Sequence, residues 1–278
     1  MNIKPILRKY DFRPRKRWGQ NFLINDKVRD KMIGFAGIKP ADSVLEIGPG
    51  LGMLTEKIAR QAKEVIAVEK DKKLCRILKD LLGNYSNLRI ICNDILKIDL
   101  FSLVRGNKKL KVIGSLPYYI TSPIIFRLLN AGKIIDVVLI TVQKEVGRRL
   151  LAGPDTKDYA SISLNIRYYS EPSLQSVIKK DAFFPRPKVD SSIIRLKMLK
   201  QPAVRVNDEQ EFFRLVRASF NKRRKTILNS LAGSKCFNLT KQEWSDVFKK
   251  SRLDPLRRAE SLKLEEFAGL FNNLKAGI

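Results

Sequence analysis

The chain has 278 residues, of which 55 are Lys or Arg and 28 are Asp or Glu, giving a formal charge of +27, and it contains no histidine. That length buries a full core and normally divides into one larger and one smaller domain, while the absence of an apolar run of membrane-spanning length, or of an apolar stretch behind the basic N-terminus, argues against an anchor or a secretory signal and for the cytoplasm. The charge exceeds what solubility needs and implies a polyanionic partner; without histidine there is neither an imidazole base nor the commonest metal ligand, and no metal is expected.

Residues 1 to 17 hold seven basic side chains and one acid. They read as a basic N-terminal arm, with Arg13, Lys16 and Arg17 as nucleic-acid contacts, and they lead into Trp18-Gly19-Gln20-Asn21-Phe22-Leu23, whose glycine and flanking aromatics point to a segment that docks. A helix is expected over 26 to 36. From there strands and helices alternate: strand 43 to 47, helix 53 to 61, strand 64 to 68, helix 71 to 82, strand 88 to 92, strand 110 to 114, helix 123 to 131 and strand 135 to 142. This is the pattern of a Rossmann-like α/β sheet, with ligands expected at the carboxyl ends of its strands.

The first strand breaks into Gly48-Pro49-Gly50-Leu51-Gly52. Glycines there permit positive φ and close approach of a ligand to the backbone, and the following helix offers free N–H groups. Glu69 closes the second strand, where a carboxylate takes both ribose hydroxyls of a nucleoside. The nicotinamide fingerprint would need glycine where the chain has Met53, which weakens that reading. Asp94, behind the third strand, is placed to accept from an adenine amine or to cap the next turn. Behind the fourth strand comes Ser115-Leu116-Pro117-Tyr118. There Ser115 Oγ and the carbonyl of Leu116 or Pro117 are candidate acceptors for an exocyclic amine, and Tyr118 offers a face for stacking an extruded purine. A second aromatic and proline cluster, Phe183 to Asp190, brings Phe183 as a candidate wall of the cleft. Cys75, Cys92 and Cys236 are odd in number and widely spaced, and read as reduced thiols.

A last apolar strand is expected at Ile193 to Met198. Composition changes near Gln201-Pro202 and the pattern is helical from Asp208. The domains are therefore placed at 1–200, binding the cofactor, and 201–278, a small all-helical RNA-binding domain. Its basic runs, Lys222, Arg223, Arg224 and Lys225, then Arg257 and Arg258, suit a phosphate backbone.

Taken in order, these segments resemble the ribosomal RNA adenine dimethyltransferases, of the type that modifies two adjacent adenosines near the 3′ end of small-subunit (16S) rRNA. The resemblance runs from Gly19-Gln20-Asn21-Phe22-Leu23 through Glu46 to Gly50, Gln143 to Val146 and Phe183 to Asp190, to Phe220 to Leu231 and Arg258-Ala259-Glu260. It implies a class I methyltransferase sheet and S-adenosyl-L-methionine as methyl donor, with Asn21, Leu23, Gly48, Gly50, Glu69, Asp94 and Ser115 at the cofactor. It also implies Ser115, Leu116, Pro117, Tyr118 and Phe183 at the reacting base, and a monomer acting on the small ribosomal subunit or its precursor, with no membrane involved. Where that family usually has Asn-Leu-Pro-Tyr this chain has Ser115-Leu116-Pro117-Tyr118, and Tyr119 stands in place of a second asparagine. Serine keeps a hydrogen-bond acceptor there. Three other readings stay open at this point: a non-catalytic RNA-binding assembly factor, a large-subunit rRNA methyltransferase, and a nicotinamide oxidoreductase.

Overall fold

A computed structural model of the chain describes residues 3–15, 18–104, 106, 109–117, 120–234 and 236–275. It divides into two units, one formed by Met1–Gly147 with Glu171–Lys200, the other by Arg148–Ser170 with Gln201–Ile278.

The first unit is built on a seven-stranded sheet. Its strands are β2 (Ser43–Ile47), β3 (Glu64–Glu69), β4 (Leu88–Cys92), β5 (Leu110–Ser115), β6 (Ile135–Gln143), β7 (Ser170–Ile178) and β9 (Ser191–Met198), in the order β4-β3-β2-β5-β6-β9-β7. The pairs β2–β3, β2–β5, β3–β4 and β5–β6 are parallel, and β6–β9 is antiparallel. Every residue of β2 is buried, and β3 is buried apart from its first residue. Such strands read as mostly apolar runs because helices cover both faces of a parallel sheet. The order reverses at β2, with β3 on one side and β5 on the other, and the crevice at such a reversal is where ligands bind in open α/β sheets.

The helices of this unit are held by local signals. Helix α2 (Asp26–Ala36) is capped by Asn25, whose side chain accepts from Val28 N, and stops at Gly37, which has φ +57°. Helix α3 spans Thr55–Ala59. Helix α4 (Lys72–Leu82) is capped by the Asp71 carboxylate and buries Leu74, Cys75, Ile77, Leu78 and Leu82, one stripe at helical spacing. Helix α5 covers Thr121–Asn130, and α6, Lys144–Leu151, begins in this unit and ends in the other.

Two expectations are revised here. The basic N-terminal arm contains a helix, α1 (Ile3–Lys9), which docks by burying Ile3 and Leu7, with Phe12 behind them, against Leu51, Met53, Leu74 and Ile77. Cys75 and Cys92 are joined as a disulfide, whereas reduced thiols were expected. Packing of α4 on β4 brings their Cα atoms to 5.9 Å across 17 residues of sequence, a proximity that spacing alone does not reveal.

A two-stranded ladder joins distant segments: β1 (Phe22–Leu23) pairs antiparallel with β8 (Phe183–Phe184), Leu23 opposite Phe183. It fixes the stretch ahead of α2 against the proline-rich cluster.

The second unit holds α7 (Ser161–Tyr169), α8 (Glu209–Phe220), α9 (Ile227–Ala232), α10 (Lys241–Lys250) and α11 (Leu264–Lys275). Trp244, Phe212, Phe248, Phe267 and Phe271 fill its core, and Tyr159, Leu164 and Tyr168 belong to the same cluster. The contiguous division at residue 200 is thereby corrected. Residues 148–170 join the helical unit because Tyr159 and Tyr168 are buried in it and Tyr159 donates its hydroxyl to the Leu262 carbonyl at 3.1 Å. Among the described residues no helix is long and apolar enough to cross a membrane.

Candidate active site

The glycine loop after β2 exists because the backbone there must turn through left-handed conformations at close quarters. Gly50 has φ +61°, and a Cβ on it would stand 2.9 Å from the Phe22 ring; Gly48 has φ +69° and faces the Ser115 carbonyl, which would be 3.5 Å from a Cβ. A side chain at either position is strained. The loop is tied to the next strand: Gly48 N donates to Val68 O, and Gly50 N donates to Glu69 Oε2 at 3.2 Å.

Glu69 sits at the end of β3, 7% exposed, its other oxygen accepting from Asp71 N at 2.9 Å. Burial pushes its carboxyl up to about 7, against the downward pull of the Asp71 and Gly50 N–H groups. Beyond β4, Asp94 accepts from Leu96 N through Oδ1 and meets Lys70 Nζ at 2.7 Å through Oδ2. Burial alone would raise the Asp94 carboxyl, but the Lys70 ammonium and the Leu96 N–H outweigh it and hold the group below its ordinary value. Asp94 therefore caps the next turn, as one of its two expected readings had it, and its ion-paired carboxylate borders the cavity.

These groups line one cavity at the carboxyl ends of β2, β3, β4 and β5, closed by the 18–23 segment. Asn21, Leu23, Gly48, Gly50, Glu69, Asp94, Ser115 and Pro117 all border it. Asn21 is steadied by donating to Gly19 O, and Gln20 ties the segment to α4 through Asp71 at 2.9 Å. Leu116 is buried at 2% exposure and does not border the cavity, though its N–H is pinned to Thr141 O at 3.2 Å. Phe183 stands apart from the expectation that it walls the cleft. It is 4% exposed within the apolar cluster of Leu23, Met32 and Ile193, and the rings that border the cavity include Trp18 and Phe22, the latter on the partner strand of the β1–β8 ladder. Tyr118 and Tyr119 lie outside the described residues, as do Lys16 and Arg17.

Sequence reasoning missed Glu46 and Lys70, both of which border the cavity. Glu46 is 2% exposed, and its Oε2 has no hydrogen-bond partner among the described residues. Burial pushes it up to about 8. The signal was present: a carboxylate inside a strand that is otherwise apolar needs a reason to be there.

A nucleoside carrying an amino-acid tail fits this donor and acceptor set. The carboxylates of Glu46, Glu69 and Asp94 border the cavity, apolar side chains such as Leu51, Ile95 and Ile124 line its walls, and one buried Glu46 oxygen has no hydrogen-bond partner among the described residues. Among the described residues no group of His, Cys, Asp and Glu could hold a metal ion.

In the helical unit, Lys222, Arg223, Arg224 and Lys225 are exposed, as are Arg258 and, in the first unit, Arg13. Arg223 donates to Lys157 O and lies 3.7 Å from Glu260, so its guanidinium is held outward near the Arg258 side chain, 3.9 Å from the same carboxylate. Arg257, expected beside them among the RNA contacts, is less exposed and has internal partners. Its guanidinium is engaged by both Glu266 oxygens, at 2.5 and 3.2 Å, and by Ser261 O, an internal bidentate lock ahead of α11.

Fold and cavity together define a class I, S-adenosylmethionine-dependent methyltransferase. Residues 11–275 match the family model described as "Ribosomal RNA adenine dimethylase". The chain belongs to this ribosomal RNA adenine dimethylase family, and S-adenosylmethionine is its methyl donor. It is similar to a ribosomal RNA small subunit methyltransferase A from Geobacillus sp. (strain WCH70), 44% identical over 98% of this chain and 95% of that one. A second protein of that name, from Alkaliphilus oremlandii, is 43% identical over the same shares. The crystal structure of a dimethyladenosine transferase from Plasmodium falciparum superposes with a TM-score of 0.77 at 28% identity, covering 92% of this chain and 98% of that one.

Proposed function

We propose that the chain dimethylates the N6 amines of two adjacent adenosines near the 3′ end of small-subunit (16S) rRNA, acting as a cytoplasmic monomer on the small ribosomal subunit or its precursor. The observation that carries this reading is the meeting of two rims: the Ser115 carbonyl lies against the Gly48 turn, so the end of β5 faces the cofactor loop directly. When bound, S-adenosylmethionine supplies a methyl on a positively charged sulfur. Asn21, Glu69 and Asp94 would hold it by its polar groups, with Glu46 accepting from a donor on the amino-acid portion.

The work left to the protein is to extrude the base, align its amine and localise the nitrogen lone pair, which is delocalised into the ring of free adenine. Hydrogen-bond acceptors around the NH₂ achieve this without a strong base, consistent with a chain lacking histidine. The Pro117 carbonyl is not free for that role: it accepts from Ile120 N at 3.2 Å and Thr121 Oγ1 at 3.0 Å as the chain turns into α5. The acceptors that remain are Ser115 Oγ and the Leu116 carbonyl. Neither has a hydrogen-bond donor among the described residues.

Replacing Ser115 with Ala should slow single-turnover methylation of small-subunit particles by roughly ten- to a hundredfold, the loss of one hydrogen bond made in the transition state, with cofactor affinity nearly intact. Ser115→Asn should keep or raise the rate, since an amide oxygen reaches farther. Wild-type speed in Ser115→Ala would leave the Leu116 carbonyl as the sole acceptor. A chain that binds cofactor and particle yet leaves its adenosines unmodified would instead be a non-catalytic assembly factor.

The helical unit is read as the RNA-binding domain on the strength of its exposed Lys222 to Lys225 run and Arg258. Each phosphate contact removed from duplex nucleic acid lowers the slope of log affinity against log salt by about 0.9. Arg223→Ala combined with Arg224→Ala should therefore weaken particle binding and flatten that slope by about 1.8 in all. Filter binding across a salt series measures it, and an unchanged slope removes both side chains from the interface.

A further inference from the structure

The methyltransferase unit carries a basic face that the reaction does not use. Helix α1 docks through Ile3 and Leu7 and leaves Arg8 and Lys9 exposed, while α4 exposes Lys72, Lys73, Arg76 and Lys79 beside it. On α4 the residues 72, 76 and 79 fall on one stripe opposite the buried one, a row about 10 Å long at 1.5 Å rise per residue. Lys73 stands at the seam of the two helices, its ammonium donating to Asp11 O and lying over the Phe12 ring. Over α1, the following residues 10 to 15 and α4, Asp11 and Asp80 are the only exposed acids. Among the described residues none of the six cations forms a salt bridge.

This arrangement costs the isolated helix stability. Lys72 and Lys73 occupy the first turn of α4, where the helix dipole disfavours positive charge and the turn itself holds no acid beyond the Asp71 cap. Lys72 with Arg76, and Arg76 with Lys79, are like-charged neighbours, each opposing the helix by about 0.2–0.5 kcal/mol. The stripe is nonetheless mounted rigidly, by the Asp71 cap and by the disulfide from Cys75 to β4. Unpaired charge on a fixed support suits an external polyanion. A lipid surface would call for apolar anchors among the charges, and none of the exposed large apolar side chains, Phe101, Leu174, Val177, Val189 and Leu256, lies on these two helices.

We infer that the α1–α4 face is a second rRNA-backbone surface, separate from the basic runs of the helical unit, and that it binds phosphates of the small-subunit particle. The inference rests on the proposed function for its partner. Because α4 follows β3, the face adjoins the end of the cavity at Glu69 and Asp94, whereas the rim that presents the target amine follows β5. Its contribution is therefore to particle affinity and leaves the chemical step alone.

The test compares wild type with the triple variant K72Q/R76Q/K79Q on small-subunit particles across a salt series, with S-adenosylmethionine affinity measured by calorimetry and folding by thermal melt. Particle affinity should fall by about ten- to a hundredfold at moderate salt, and the slope of log affinity against log salt should become shallower by about 2 to 3, with cofactor affinity and the single-turnover rate at saturating particle unchanged. The charge-preserving variant K72R/R76K/K79R should restore binding. A folded triple variant with an unchanged slope overturns the surface, as does a loss seen on phosphatidylserine vesicles and not on particles. Should wild type itself fail to methylate the particles, the functional reading falls and this surface with it; should it methylate while the variant slope stays unchanged, only the surface falls.

Discussion

Glu69→Ala is expected to weaken S-adenosylmethionine binding by about 1 to 3 kcal/mol, roughly ten- to a hundredfold, with affinity for the RNA particle nearly unchanged. In the proposed function this carboxylate, at the end of β3 and bordering the cavity, is the acceptor for the ribose hydroxyls. The truncation has a second effect, because Glu69 also accepts from Gly50 N and Asp71 N. Alanine leaves both N–H groups buried without that partner, so some thermal stability should be lost too. Glu69→Gln separates the two effects: it keeps the shape and one acceptor oxygen while removing the charge. Burial holds the Glu69 carboxyl at about 7, so it is ionised above that pH and protonated below it. Cofactor affinity of wild type should accordingly decline as pH falls through 7, and the decline should be absent in Glu69→Gln. Calorimetric titration at pH 6 and pH 8 reads both outcomes, and equal cofactor affinity in Glu69→Ala would move the ribose elsewhere.

The sheet was legible in the sequence because β2, β3, β5 and β6 are buried nearly throughout and so appear as predominantly apolar runs. The glycine loop was legible because Gly48 and Gly50 need positive φ, which the residue type itself announces. What stayed hidden depends on long-range proximity. The apolar residues of α1, Ile3, Ile6 and Leu7, are too few to show that a basic segment folds back onto α4. The β1–β8 ladder has two residues a side, and no local pattern links Leu23 to Phe183 across the intervening chain. The same holds for Cys75 and Cys92, and for 148–170, whose tyrosines reveal their place only once Phe212 and Leu262 are beside them. Arg257 illustrates the converse case: basic character reads as surface charge until the chain supplies Glu266 as an internal partner.

The pH dependence of folding should expose Glu46. Its carboxyl is buried, has one oxygen without a partner, and is pushed by burial from 4.5 up to about 8. The folded state therefore prefers the protonated form. For a group whose folded value is raised, the stabilising contribution is complete below the unfolded value and is lost as pH rises through the folded one. At about 1.4 kcal/mol per unit, the loss between pH 4.5 and pH above 8 is on the order of 4–5 kcal/mol, and Glu69, raised to about 7, adds in the same direction. The carboxylates held below their ordinary values, Asp94 and Glu266 among them, are charged above pH 5, and burial keeps Tyr159 and Tyr168 protonated well past pH 9. The cofactor-free protein should thus melt at a progressively lower temperature from pH 6 to pH 9. Glu46→Gln cannot ionise, so it should flatten most of that slope and exceed wild type in stability above pH 8. Near pH 5 it should match wild type or fall slightly below it, since the amide brings an extra N–H into a site with few acceptors. Because Glu46 borders the cofactor cavity, the same variant should also bind S-adenosylmethionine more weakly at pH 8. Thermal melts at pH 5, 7 and 9 decide the point, and a Glu46→Gln protein with the wild-type slope would show that Glu46 is already ionised in the folded state.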